Sequence, residues 1–257
     1  MESPKQEIAA IIQARMGSSR LPAKVLADVC GRPMLQRLID RIECVPEVDR
    51  IIVATTDGEA DDQLAAWVSA NTRCELFRGA ENDVLDRFYQ CARLAGASIV
   101  VRVTADDPLK DPALISHAIG CLLENPNLDY CSNTMRPTYP EGLDIEVFRF
   151  SALERAFREA SLPSDREHVT PFIWRQPELF RGRNFEFERD LSAWRWTVDK
   201  PNDLEFIRRI YAEFQGWPDV SYLEIIDLLE RNPQLMLINQ GTVRNEGYIK
   251  SLCQEKK

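Results

Sequence analysis

The stretch IIQARMGSSRLPAKVL, residues 11–26, begins as an apolar run and turns abruptly into small, cationic and turn-forming residues. Ile8 to Ile12 is short and β-branched, as a buried strand requires, and the helical pattern PMLQRLIDRIECV (33–45) follows. The loop between them therefore sits at the carboxyl end of a strand, where open α/β sheets bind ligands. Gly17, Ser18 and Ser19 allow close backbone approach and offer amide and hydroxyl donors, while Arg15, Arg20 and Lys24 supply positive charge. From Ile8 to Ala27 there is no acidic residue, in a chain whose formal net charge is −9. That contrast favours a local anion site over solvated charges on an ordinary loop, and arginines suit a phosphate chain. Neither G-x-x-x-x-G-K-[ST] nor G-x-G-x-x-G is present, since Val25 follows Lys24, so a P-loop kinase and a dinucleotide enzyme are both disfavoured.

The same alternation continues outward. RIIVAT (50–55), CELFRG (74–79) and SIVVRVT (98–104) read as strands. EADDQLAAWVSAN (59–71) and NDVLDRFYQCARLAG (82–96) read as helices, the second with Asn82 or Asp83 as its N-cap and Gly96 as its stop. Continuous apolar strands joined by helices imply a doubly wound, largely parallel sheet covered on both faces over about the first 125 residues. After DPALISHAIGCLLENP (111–126) the spacing becomes irregular. LDYCSN (128–133), LDIEVFRF (143–150), RNFEFERD (183–190) and WRWTV (194–198) read as strands, with SALERAFREA (151–160) and REHVTPFIWRQ (166–176) as helices. Pro201 opens a further helix. We expect one domain over residues 1–236 and a peripheral tail over 237–257, where the pattern weakens.

At 257 residues and 44% hydrophobic content the chain has enough apolar material for a buried core. The net charge and a pI near 5.0 argue against nucleic acid or an anionic membrane as a general partner. Seven scattered cysteines without C-x-x-C suggest neither a disulfide framework nor a zinc site, which fits a reducing cytoplasm. Two histidines leave little room for a histidine-rich metal site. No segment approaches the roughly 20 apolar residues of a membrane helix, and the N-terminal apolar run is too short for an export signal.

IIQARMGSSRLPAKVL and GRPMLQRLIDRI (31–42) resemble the start of nucleotidyltransferases of the cytidylyltransferase group. The likeness is closest to the spore coat polysaccharide biosynthesis protein F family and extends to the synthetases of CMP-activated 3-deoxy-octulosonic and nonulosonic acids. It continues through GAENDVLDRFYQCA (79–92), VVRVTADDPLKDP (100–112), YPEGLDIEVF (139–148), REHVTPFIWRQPE (166–178) and RWTVDKPNDLEFI (195–207). The resemblance implies a Rossmann-like nucleotidyltransferase fold, a GT-A-like three-layer sandwich with a mostly parallel mixed sheet. It also implies CTP as the nucleotide, a homodimer, and nucleotide contacts from Gln13, Ala14, Arg15, Gly17, Ser18, Ser19, Arg20, Lys24, Gly79, Asp83, Arg87 and Asp106. Arg87 equally suits a surface pair with Asp83.

Asp106, Asp107 and Asp199 each fall just past an expected strand. Mg2+ held with a nucleotide needs only one or two protein carboxylates, because phosphate oxygens and water complete its octahedron. The resemblance implies the pair Asp106 and Asp199; either Asp106 or Asp107 could serve, and an aspartate before a helix is also a common cap. Tyr139, Glu141, Asp144, Glu146, Arg166 and His168 are candidate contacts for a sugar-type acceptor. Against that, Glu146 would face solvent on an alternating strand, and Arg166 and His168 would simply occupy a first helical turn. The expected catalytic set is Arg15, Lys24, Asp106 and Asp199, for Mg2+-dependent transfer of CMP from CTP to a sugar acid. A sugar phosphate or phosphonate acceptor and a GT-A-type glycosyltransferase are the alternatives.

Overall fold

The structure, a computed structural model, describes residues 6–18, 20–215 and 217–255. The opening strand β1 (Ile8–Gln13) is followed by a small antiparallel pair, β2 (Asp28–Val29) and β3 (Arg32–Pro33), and by α1 (Met34–Ile42). β4 (Arg50–Thr56), α2 (Asp62–Asn71), β5 (Glu75–Gly79), α3 (Val84–Ala95), β6 (Ile99–Thr104) and α4 (Pro112–Glu124) continue the expected alternation. Asp83 caps α3 by accepting the Asp86 N–H, and Gly96 ends it at φ 66°, both as read from the sequence. The second half holds β7 (Tyr130–Ser132), β8 (Glu146–Arg149), α5 (Phe150–Glu159), α6 (Pro163–His168), α7 (Pro171–Trp174), β9 (Gly182–Asn184), α8 (Pro201–Glu213), α9 (Tyr222–Arg231) and α10 (Glu246–Glu255).

The strands form a seven-stranded sheet in the order β5-β4-β1-β6-β8-β7-β9. β5, β4, β1 and β6 are parallel, β8 runs antiparallel to β6 and to β7, and β9 is parallel to β7. Helices cover both faces through two separate apolar clusters. One joins Ile12, Leu38, Ile119 and Ile207; the other joins Ile11, Phe88, Phe148 and Leu153. Alternate residues of β1 face opposite clusters, as the two-residue period of a strand demands. The doubly wound α/β architecture is thus the expected one.

Three expectations are corrected. WRWTV is not a strand of the sheet: it contributes one isolated bridge, Glu141 to Arg195, because Arg195 is drawn into buried ion pairs. Gly142, next to that bridge, has φ +106°, and a Cβ there would lie 2.7 Å from the backbone carbon of Trp196. REHVTPFIWRQ divides into α6 and α7 at Val169, whose φ of 71° ends the first helix. The tail is not peripheral. Asn239 is buried against the Arg195 carbonyl, Arg244 pairs with Asp144, and α10 packs on α6. Among the described residues no helix is long and apolar enough to cross a membrane.

Candidate active site

The carboxyl ends of β1 and β6 open into a cleft of about 830 Å3, whose walls include Arg15, Lys24, Asp106, Asp199, Glu146 and His168. Its centre is an ion cluster. Lys24 is buried in a short 3-10 turn, and its Nζ donates to Asp106 Oδ2 at 3.0 Å, to Asp199 Oδ1 at 2.9 Å and to the Val198 carbonyl at 2.6 Å. Residues far apart in sequence therefore converge on one nitrogen. Burial opposes charge on all of them, but the pairing outweighs it. Lys24 is held above the usual lysine range, and Asp106 and Asp199 are held below the usual aspartate range, Asp199 by Arg20 as well as Lys24.

Asp199 is fixed from behind. Arg195 donates to Asp199 Oδ2 at 2.9 Å, to Glu141 at 2.5 Å and to Asp203 at 3.1 Å. Asp203 in turn accepts the backbone N–H groups of Asp199 and Lys200 at the start of α8. Asp106 and Asp107 separate clearly. The Asp107 carboxylate accepts Thr104 Oγ1 at 2.6 Å and Lys110 Nζ at 2.8 Å, and both ion-paired side chains are buried. Asp106 keeps 31% of its side-chain exposure and faces the cleft. Asp111, rather than Asp107, caps α4.

The first loop lies across the same opening. Arg15 is exposed and, among the described residues, has no hydrogen-bond or ion-pair partner. Arg20 bridges Asp199 at 2.8 Å and Glu246 at 2.9 Å. Gln13, Ala14, Gly17 and Ser18 line the cleft, whereas Ser19 lies outside the described residues. Asp61 pins this loop: buried beneath it, it accepts the Met16 N–H at 2.6 Å and the Thr56 hydroxyl. Arg87 lines the cleft and donates to the Ala80 carbonyl at 2.5 Å. Burial, and then the positive charge of Arg15, hold its guanidinium below the usual arginine range. Gly79 and Asp83 do not line the cleft; Asp83 pairs with Arg166 rather than Arg87.

At the other end, Glu141, Asp144, Glu146, Arg166 and His168 line the wall. Tyr139 does not. Its ring is buried in an aromatic cluster with Phe185, Phe187 and Tyr222, which removes it from the acceptor set. Glu146 is buried rather than solvent-facing, because Arg102, Tyr130 and Thr170 all donate to it. Each acid has its own arginine: Glu141 has Arg195, Asp144 has Arg244, and Glu146 has Arg102. Sequence reading missed Asp61, Arg102, Arg195, Trp174 and the tail residues Asn245, Glu246 and Tyr248, all but Asp61 and Arg195 being cleft residues. The W-R-W alternation with an aspartate four residues on was the one available sign of Arg195.

Comparison with known proteins identifies the fold and the family. A structure of a cytidylyltransferase from Leptospira borgpetersenii superposes with a TM-score of 0.87 at 30% identity, covering 93% of this chain and 100% of that one. A CMP:2-keto-3-deoxy-manno-octonic acid synthetase complexed with CTP shares the fold, with a TM-score of 0.63 at 22% identity over 81% of this chain and 100% of that one. The spore coat polysaccharide biosynthesis protein SpsF of Bacillus subtilis is 34% identical over 88% of this chain and 95% of its own length. A 3-deoxy-manno-octulosonate cytidylyltransferase of Geobacter sulfurreducens is 40% identical over 46% of each chain. The cytidylyltransferase family model matches residues 9–242, from the first strand through the beginning of the tail, and the chain accordingly belongs to the cytidylyltransferase family.

Proposed function

We propose that this enzyme transfers CMP from CTP to a hydroxyl oxygen of a sugar acid and releases pyrophosphate, with Mg2+ as its cofactor. The observation that carries the reading is the convergence of Asp106 and Asp199 on Lys24 Nζ, within 3.0 Å, at the end of the cleft where Arg15 and Arg20 lie. Attack of an oxygen on the α-phosphorus requires positioning and charge neutralisation rather than a covalent enzyme intermediate. Arg15 is open to take a phosphate oxygen. Arg20 and Lys24 would exchange carboxylate partners for the triphosphate and for the departing pyrophosphate.

The donor set fits a divalent cation. Two carboxylates already gather around one positive charge, and among the described residues no cluster of three or more metal-ligating side chains is present. Phosphate oxygens and water would therefore complete the coordination of an ion held by Asp106 and Asp199. When bound, the ion supplies Lewis-acid neutralisation at the phosphate oxygens. Arg195 and Asp203 keep the Asp199 carboxylate oriented.

The sugar acid is supported by the relatives named above and by the charge balance of the acceptor wall. Arg102, Lys110 and Arg166 are already paired with Glu146, Asp107 and Asp83. A dianionic phosphate would find no open cation there among the described residues, whereas a single carboxylate needs only one pair to exchange. The seven free cysteines fit a reducing cytoplasm, and the family resemblance supports a homodimer, which sedimentation of the purified chain tests.

The deciding experiment supplies each nucleoside triphosphate with Mg2+ and a panel of sugar acids and sugar phosphates. We expect pyrophosphate and a CMP-linked sugar acid by mass spectrometry, with CTP alone as an efficient donor. Release of a nucleoside diphosphate from a nucleotide-sugar, without pyrophosphate chemistry, would replace this reading with glycosyl transfer.

A further inference from the structure

We propose that Glu246, the first residue of α10, is a built-in competitor for the phosphate chain: it holds Arg20 while the cleft is empty and yields it when the nucleotide enters. The inference rests on the nucleotide reading above and adds the element that regulates access to that site. Glu246 lies past residue 242, where the match to the family model ends, so the device belongs to this chain's tail rather than to the matched core. Its Oε2 accepts Arg20 Nη1 at 2.9 Å, while Arg20 Nη2 meets Asp199 Oδ1 at 2.8 Å. Both Arg20 and Glu246 line the cleft. One guanidinium of the first loop is thus clamped between a cleft aspartate and a helix 226 positions further along the chain.

The two carboxylates depend on Arg20 very differently. The Asp199 side chain is 19% exposed and is also paired with Lys24 and Arg195, so it keeps two cations when Arg20 turns away. The Arg20 and Glu246 side chains are 33% and 30% exposed, and the other Glu246 oxygen is held by Lys250 Nζ at 2.7 Å. Released by Arg20, the Glu246 carboxylate keeps Lys250 and gains water, and no charge is left buried and unpaired. An ion pair this exposed is weakly held and screened by salt. A triphosphate offers the same guanidinium several charged oxygens and can take two N–H groups at once. The nucleotide therefore wins the exchange, with its affinity reduced by the strength of the pair it breaks.

The tail backbone is fixed on either side of Glu246. Asn245, at a φ of 55°, donates its N–H to Glu141 at 2.9 Å; Thr242 accepts Lys200 Nζ at 3.0 Å; Ser251 donates to Glu167 at 2.7 Å. Residues 242–251 cannot swing off the cleft without losing these bonds, so the moving parts are the two side chains alone. The same competition acts on the way out. After transfer, Glu246 is the anion that reclaims Arg20 from pyrophosphate and speeds its release.

Isothermal titration of CTP and, separately, of inorganic pyrophosphate into the full-length enzyme with Mg2+ reads the competition without an acceptor. Glu246→Gln keeps the volume and removes the competing charge, so both ligands should bind about 2–5-fold more tightly at low salt, the strength of one exposed pair. The gain should fade at about 1 M salt, where the pair is already screened. In an Arg20→Ala background, adding Glu246→Gln should change neither affinity. A Glu246 that merely supported the tail would give the opposite sign, with both ligands bound more weakly once it is replaced. Unchanged or weakened binding of both ligands, or equal tightening in the absence of Arg20, overturns the proposal and leaves the nucleotide reading intact. Tighter pyrophosphate without any CTP binding supports the competitor and removes CTP as the nucleotide. If neither ligand binds either protein, the competitor and the nucleotide reading fail together.

Discussion

Lys24 Nζ stands 2.9 Å from Asp199 Oδ1, a contact across 175 positions of sequence that closes the cleft floor between the first loop and the start of α8. An ammonium held this way is a counter-ion for the carboxylate and, on the proposed reading, becomes a cation for phosphate when the nucleotide enters. Paired charges removed from water gain little net stability, so such a cluster is suited to exchanging partners.

Asp199→Asn tests that exchange. The substitution keeps the volume but leaves Lys24 and Arg20 without a shared counter-charge, so we expect kcat to fall by about 10²–10³, the scale of losing one electrostatic contact to a transition state. Isothermal titration should still detect CTP. Turnover equal to wild type would remove Asp199 from the reaction.

The same residue sets an acid limit to stability. Burial raises the Asp199 carboxyl, but Lys24 and Arg20 outweigh it and hold the group below its usual range. Below the unfolded value, about 4, the unfolded chain binds more protons than the folded one, so stability rises with pH there and is flat above. Urea unfolding from pH 3 to 7 should therefore show a gap between wild type and Asp199→Asn that is open at pH 7 and narrows with acid. A gap independent of pH would contradict the pairing.

Gly142→Ala should be among the most damaging single substitutions. Its φ of +106° strains any L side chain, and the added Cβ would meet Trp196 backbone at 2.7 Å, where no flexible tip can move aside. The shift would separate Glu141 from Arg195 and, through Arg195, disturb Asp199. We expect a loss of about 3 kcal/mol or more, seen as insoluble expression or a midpoint lowered by about 6–12 °C.

Legibility in the sequence followed the range of the contacts. The first loop was readable because its charges and glycine are contiguous and stand at a strand end. Asp106 does stand just past a strand end, though position alone left it level with Asp107; Asp199 was singled out by the family resemblance, since the strand expected before it is not one. Tyr139 misled because an aromatic in a polar loop shows no sign of turning inward, where Phe185, Phe187 and Tyr222 receive it. Asp61 was hidden among the acids of its own stretch, and only the fold decides that it alone points under the Met16 N–H. The tail was misread because its anchors are remote: Arg244 meets Asp144 and the Tyr139 carbonyl, about a hundred residues earlier, and local periodicity carries no trace of such pairs.

Arg244→Ala measures what that tail contributes. The arginine also donates to the Ser192 carbonyl at 3.3 Å, and its removal leaves the Asp144 carboxylate without its counter-ion. We expect a loss of about 2 kcal/mol, a midpoint lowered by about 4–8 °C, and a larger rise in KM for the acceptor than for CTP. Equal rises in both KM values would mean that the tail supports the cleft generally instead of its acceptor end.

His168 provides the last check, because its ionisation reports the packing of α10 on α6. Burial lowers the imidazole below its ordinary range, against the raising effect of Glu167. Its partner Ser251 Oγ, at 3.0 Å, is satisfied by a neutral ring. With the folded value below the unfolded one, the unfolded chain binds the extra proton in the window just under pH 6.5. The packing is therefore fully present above that window and weakens as pH falls through it, which is the range in which histidine switches operate. The chain has two histidines, so proton NMR of the ring signals, assigned with His168→Ala, should show His168 titrating below 6.5. Deleting residues 246–257 uncovers the ring and should move that midpoint upward; a midpoint that stays put would mean the imidazole is buried by α6 and α7 alone.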